Sequence, residues 1–368
     1  IIGGVAGIAA IVGVYLLVFG WDNGGGTTPP LPPSKITLEI WGIFDDSDVY
    51  QPIIDAYHER HPDVFVRYRK FIWDEYENTL ISSLASNRGP DIFMIHNTWM
   101  DKHRDKITPI NQPPGYPTFV RTGFQEQNEI YALPLWVDNL ALFYNRDLFS
   151  QEGFFEPPQT WEQFQDYVKA LTRFSPTGSL LRSGTALGGD SQTINRATDA
   201  LLLLMLQNNV EPFERETKKV TWKDNKKAFD AAKDALRFYT DFANPSKESY
   251  TWNEDQHYSI DRFWEGNLAM MFNYAYNIDT IKRKAPYLNF AVAPLPKKLG
   301  GVRPVTLGNY WGLAVSAQSS YRETAWGFLN FFAAEEQYRT YISATRRLPA
   351  HDALLQEKKN DPLLKPFI

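Results

Sequence analysis

No cysteine occurs among the 368 residues. Disulfides, thiolate nucleophiles, cysteine-based metal sites and a lipid-modified N-terminal cysteine are therefore excluded, although the compartment stays open. Histidine is scarce, at six. The closest pair, His58 and His61, lies three apart before Pro62 and reads as exposed positions at a helix end rather than as metal ligands. No block of Lys or Arg stands out in a chain of net charge −5, and the short basic groups at 282–284 and 297–298 read as solvated helix and loop ends. That argues against a nucleic-acid partner. Enzyme signatures are missing as well: there is no Gly-x-Ser-x-Gly elbow, no phosphate-cradling glycine loop and no His-Glu-x-x-His. GTALGG at 184–189 lacks the dinucleotide spacing, and Asp45, Asp46 and Asp48 lack the following Gly and Glu of a calcium loop. No cofactor, no metal and no internal repeat are expected.

What is present begins with twenty residues, Ile1 to Gly20, that carry no charge. As a helix rising about 1.5 Å per residue they would cover roughly 30 Å, the thickness of a bilayer's hydrocarbon core. The run is longer than a signal-peptide core and has no clean cleavage site, so residues 1–21 are expected to be a transmembrane anchor. DNGGGTTPPLPPS at 22–34 follows as a linker, flexible and then semi-rigid. The remainder is too long for one ordinary core and calls for two domains.

From Ile36 onward strands and helices alternate. Strands are expected at 36–44, 63–71 and 92–95, with helices at 49–60 and around Leu80 to Leu84 between them. This pattern indicates βαβ units and a mostly parallel sheet. Ligands of such sheets bind at the carboxyl ends of the strands, where Asp45, Asp46, Trp73 and the run His96 to Trp99 fall. Further on, Thr160 and Gln163 form a capping-box start for a helix to about Thr172. Residues 173–190 read as a loop, and helices are expected at 197–207, 226–242, 259–265 and, as one long element, 324–341. Strands are expected at 268–274, 290–295 and 311–316, with Asn277 capping the helix between the first two.

The stretch around which this organisation turns is Glu129 to Phe149, whose apolar strand, 133–144, is interrupted by Asp138 and Asn139. An acid in a strand buried on both faces is costly unless it is satisfied. Either a turn bonds these groups to backbone, or the strand crosses a crevice where Asp138 faces a polar ligand. Aromatics make up 15% of the chain. Trp41, Trp73, Tyr276, Tyr310 and Trp311 stand near strand ends, where flat apolar rings beside polar groups suit the C–H face of a sugar.

Several segments together, ITLEIWG at 36–42, GPDIFMI at 89–95, ALPLWVDNLALFYNRDLF at 132–149, PPQTWEQF at 157–164, FWEGNLAMMFNYAYNI at 263–278, FAVAPLP at 290–296 and NYWGLAVS at 309–316, carry a resemblance. The chain resembles the extracellular solute-binding proteins of the carbohydrate-binding ABC-transporter type, the group that includes maltose-binding protein. The resemblance implies a two-lobed α/β fold of the periplasmic-binding-protein type, behind an N-terminal transmembrane helix. Lobe 1 would comprise 35–138 plus 289–331, and lobe 2 would comprise 139–288 plus 332–368, with crossings near 137–140, 288–290 and 331–332. It also implies further helices beyond Ile368, so that the chain is expected to be a piece of a longer one. By position Asp138 is similar to the family's sugar-binding carboxylate and Asp45 to its polar residue after the first strand. Tyr276 falls where a stacking aromatic is common, Asn97 and Thr98 fall in a contact loop, and Asn309 and Trp311 fall in the cleft. With Asp46 and Trp73 these are the expected ligand-binding residues, whereas Asp91 should brace a turn. The implied function is a membrane-anchored receptor outside the cytoplasm, passing a small-molecule ligand, a sugar or oligosaccharide, to ABC permease subunits without chemistry. The alternatives are a sensor or adhesion receptor, a non-sugar binder of the same fold, and a glycan-processing enzyme.

Overall fold

The computed structural model describes residues 35–113, 115–120, 123–211, 213, 219–220, 222–298 and 305–368. The expected anchor at 1–21 and linker at 22–34 lie outside these residues. Among the described residues no helix is long and apolar enough to cross a membrane. The chain divides into two units, residues 1–36 and 37–368, and the cleft considered below lies within the second.

In chain order the strands are β1 (Ile36–Gly42), β2 (Val64–Lys70), β3 (Ile92–His96), β4 (Ile110–Asn111), β5 (Gln125–Glu126), β6 (Glu129–Ile130), β7 (Leu133–Asn139) and β8 (Ala141–Asn145). They continue with β9 (Arg173–Phe174), β10 (Leu180–Thr185), β11 (Leu268–Asn273), β12 (Phe290–Ala293) and β13 (Gly308–Val315). Two five-stranded sheets result, in the orders β2-β1-β3-β13-β7 and β12-β8-β11-β10-β9, together with a small sheet β4-β6-β5. Both large sheets are mixed rather than mostly parallel. β1 pairs with β3 in parallel and β10 with β11 in parallel, whereas β13 runs antiparallel to β3 and β7, and β8 antiparallel to β11 and β12. The near-continuous apolar runs of β3, β7 and β11 follow from this arrangement, since each is a strand covered on both faces.

The central stretch divides between the sheets. β7 ends at Asn139 in the first sheet, β8 starts at Ala141 in the second, and buried Leu140 joins them. What reads as one interrupted strand is thus two strands of different lobes. The second passage lies later than 288–290. β12 registers against β8, Phe290 opposite Asn145, and belongs to the second lobe, so the chain crosses between Ala293 and Gly308. Nor does it leave the first lobe at 331–332. The expected long helix is two, Arg322–Ala333 and Glu335–Thr345, parted at Ala334 where ψ is 139°. Both pack toward helix Ser47–Arg60 of the first lobe: Tyr50 meets the rings of Phe332 and Tyr341, and Tyr57 that of Phe328. Only at the end does the chain reach the second lobe, where Phe367 touches the Phe143 ring of β8 and its carbonyl accepts from Asn139 Nδ2.

Side-chain caps open three of the described α-helices. Thr160 Oγ1 accepts from Gln163 N at 3.3 Å and caps helix Trp161–Leu171, while Gln163 Oε1 accepts from Gln159 N at 2.9 Å, one residue before the position a full capping box would use. Asn145 Oδ1 takes the N–H groups of Asp147 and Leu148 and opens Arg146–Gln151. Asn277, by contrast, is the first helical residue of Asn277–Lys284, and its capping position belongs to Tyr276. The expected loop 173–190 contains β9 and β10 as an added hairpin at the sheet edge. Asp91 braces its turn as expected, accepting from Glu39 N and from Ser319 Oγ.

Candidate functional site: an aromatic cleft between the lobes

The ends of β1, β3 and β13 meet the start of helix Ala197–Gln207 and the turn after β11 around a cavity of about 680 Å³. Lobe 1 contributes a continuous aromatic wall. Trp73 stacks on Phe44 with ring centres 5.9 Å apart and on Trp99 at 6.3 Å, while Trp311 stands edge-on to Phe44, Trp73 and Trp99. Such edge-to-face contacts fix ring planes and leave one face of the cluster to the cavity. Asn309 and Trp311 both line the cavity because residues two apart on a strand share a face.

Polar groups enter between the rings. His96 bridges Thr98 Oγ1 (2.7 Å) and Asn309 Oδ1 (2.8 Å) through its two ring nitrogens. Burial lowers the His96 pKa, with the Asn309 bond opposing, so the ring is neutral near pH 7. Its Nε2–H then donates to the Asn309 carbonyl oxygen, and Nδ1 accepts from the Thr98 hydroxyl. In lobe 2, Arg196 holds a left-handed backbone (φ 67°) at the start of helix Ala197–Gln207. Its guanidinium donates to Tyr276 Oη, lies over the Tyr274 and Tyr276 rings, and has Asp199 Oδ2 at 3.8 Å. Tyr274 Oη donates to the same Asp199 oxygen, and burial followed by the Asp199 charge pushes that phenol's pKa upward, keeping it a donor. Arg347 arrives from the far end of the sequence. Its guanidinium sits 3.8 Å over Trp136 and makes paired bonds to Asp45, Nη2 to Oδ1 at 2.9 Å and Nη1 to Oδ2 at 3.3 Å.

Of the nine expected residues the cavity brings together Trp73, Thr98, Tyr276, Asn309 and Trp311. The other four take different places. Asp45 is buried behind the wall, receiving Arg347 and the Tyr341 hydroxyl. Asp46 is exposed and paired with Lys70 at 2.8 Å. Asn97 Oδ1 accepts from the Tyr310 backbone N–H. Asp138 accepts three backbone N–H bonds, from Asn139 (2.8 Å), Ala275 (2.9 Å) and Tyr276 (3.1 Å). It therefore ties the end of β7 in lobe 1 to the turn after β11 in lobe 2. Burial pushes the Asp138 carboxyl up to about 7 against these three bonds. Trp41 packs on Phe71 in the core.

Phe44, His96, Trp99, Trp136, Arg196, Asp199 and Arg347 also line the cavity. Phe44 and His96 carry a sequence signal, since both stand at the carboxyl ends of strands and next to expected site residues. In the bend that follows β1, Phe44 faces the cavity while Asp45 turns inward. Arg196 and Arg347 have no such signal, one resting on a left-handed backbone and the other on a contact across 302 residues.

Two α/β lobes with a polar and aromatic cavity between them are the architecture of the two-lobed periplasmic-binding-protein-like fold, whose cleft suits a small ligand. A model of the bacterial extracellular solute-binding protein family matches residues 44–339, and the chain belongs to that family. Its members bind solutes rather than transform them. The maltotriose-binding protein of Pyrococcus abyssi is 21% identical over 89% of this chain and 70% of its own length. Among solved structures, the sugar-binding protein MalE from the phytopathogen Xanthomonas citri aligns with a TM-score of 0.72 at 18% identity, over 90% of this chain and 84% of that one. An ABC substrate-binding protein from Listeria monocytogenes in complex with cycloalternan aligns at 0.69 and 18%, over 90% and 87%.

Proposed function

We propose that this protein captures a sugar or oligosaccharide outside the cytoplasmic membrane and passes it to an ABC importer, with residues 1–21 holding it to the membrane. The observation that carries the reading is the cavity wall of Phe44, Trp73, Trp99 and Trp311, interleaved with Thr98, Asn309 and Arg196. Flat rings take the C–H faces of pyranoses while hydroxyl, amide and guanidinium groups take their hydroxyls. Asn309 would meet the ligand through its amide nitrogen, since its oxygen is taken by His96. The charges favour a neutral ligand, because each lining cation has an acid beside it, Asp199 for Arg196 and Asp45 for Arg347. With Asp199 the one acid among the lining residues, a polyamine or basic peptide would find little to neutralise it. About 680 Å³ falls within the usual pocket range of roughly 300–1,000 Å³.

Binding would draw the lobes together, since the ligand contacts both and stabilises the form in which they are close. The charge-free run at 1–20 supports the anchor. The test is a thermal-shift screen of the purified protein against mono- and oligosaccharides. A ligand at about 100 times its Kd should add roughly 2.7 kcal/mol of stability, raising Tm by several degrees. Silence across the panel from a folded sample would discard the saccharide reading.

A further inference from the structure

The aromatic wall has two sides. Beyond it lies a shallow groove of about 490 Å³ lined by Ile43, Phe44, Lys70, Phe71, Ile72 and Trp73. Phe44 and Trp73 belong to both surfaces, so groove and cavity meet at one pair of stacked rings. Ile72 is 69% exposed and Trp73 50%, an unusual outlay of apolar surface for the first turn of helix Trp73–Ala85. Near the apolar floor stand Lys70 and Asp46, joined at 2.8 Å and both open to solvent.

We propose that the ligand is an oligosaccharide long enough to leave the cavity over the Phe44–Trp73 pair, its next ring lying on Ile72 and Phe71 with hydroxyls toward Asp46 and Lys70. The inference rests on the saccharide reading of the cavity. The occupant is a continuation of that ligand because groove and cavity share the Phe44–Trp73 pair. The groove also repeats the cavity's chemistry, apolar faces bordered by groups that donate to and accept from hydroxyls. Asp46 thereby acquires a role that its distance from the cavity denies it.

The experiment is isothermal titration of linear malto-, manno- and galacto-oligosaccharides of increasing length against the wild type and Ile72→Ser. Serine is favoured at the position preceding a helix, so the variant should fold with an equal or higher Tm. In the series that binds, the ring added after the cavity is full should tighten Kd on the order of tenfold, the effect of covering roughly 55 Å² of apolar surface. Ile72→Ser should remove that last step and leave shorter members unchanged. Affinity that stops improving once the cavity is filled would overturn the inference alone. Equal weakening of short and long ligands by Ile72→Ser would also overturn it, by assigning the rim to lobe closure. Absence of binding by any saccharide would overturn the cavity reading with it.

Discussion

Asp138 shows how one side chain can be costly and still be placed where it is. Its carboxylate is buried, and the three N–H groups it accepts come from both sides of the passage between lobes. Burial raises its pKa from 3.8 to about 7. In the folded chain Asp138 therefore keeps a proton that the unfolded chain has already released between those two values. The stability this group contributes is complete below about pH 4 and is lost as pH rises through 7. Compared with Asp138→Asn, the wild type should lose up to about 4 kcal/mol of relative stability across that window and change little above it. Urea titrations of both proteins at several pH values read this directly. A difference that does not vary with pH would show that the three hydrogen bonds fully offset burial.

Elements obey their sequences until tertiary contact requires otherwise. Nothing between Thr324 and Tyr341 announces a break, yet Phe332 and Tyr341 both touch Tyr50. Nine residues apart, they would lie about 13 Å apart along a straight helix, and the bend at Ala334 brings both onto one ring. Strand β7 carries a comparable irregularity. Trp311 faces Trp136 while Gly312 faces Pro134, so Leu135 is an extra residue on β7. Proline, lacking an N–H, is tolerated at such a bulge. Gly312 permits the close approach, for a Cβ there would stand 2.7 Å from the Leu133 carbonyl oxygen and 2.8 Å from the Phe124 ring. Gly312→Ala should accordingly cost about 1–3 kcal/mol, seen as a lower urea midpoint. A midpoint equal to wild type would mean that β7 and β13 can part at little cost, contrary to the close fit around Trp311.

At the scale of the whole molecule, the passage at Leu140 and the adjoining Thr306 and Leu307, which are hydrogen-bonded to it, are where a hinge would act. With the ligand found by thermal shift, small-angle scattering should give a smaller radius of gyration for the complex than for the free protein. An unchanged radius, with binding verified in the same sample, would mean that the lobes already stand closed and that recognition needs no hinge. Most residues on which such closure would depend are aromatic side chains of lobe 1 and the Arg196–Tyr276 pair of lobe 2.

The sequence by itself determined the alternation of strands and helices, the cap at Thr160, and the point near Asp138 where one lobe gives way to the next. These are local properties, readable from periodicity and from residue types that satisfy nearby backbone groups. It also marked Trp73, Thr98, Tyr276 and Trp311, because strand ends are where such sheets present side chains to a cleft, and Asn309 through the family resemblance. Tertiary structure alone decided that Asp45 turns inward to hold Arg347 and that Asp138 spends its oxygens on backbone. It alone decided that β12 joins the second sheet and that Arg196 enters the cavity. Each of these depends on a partner tens to hundreds of residues away or on a left-handed backbone, and neither leaves a periodic trace in the chain.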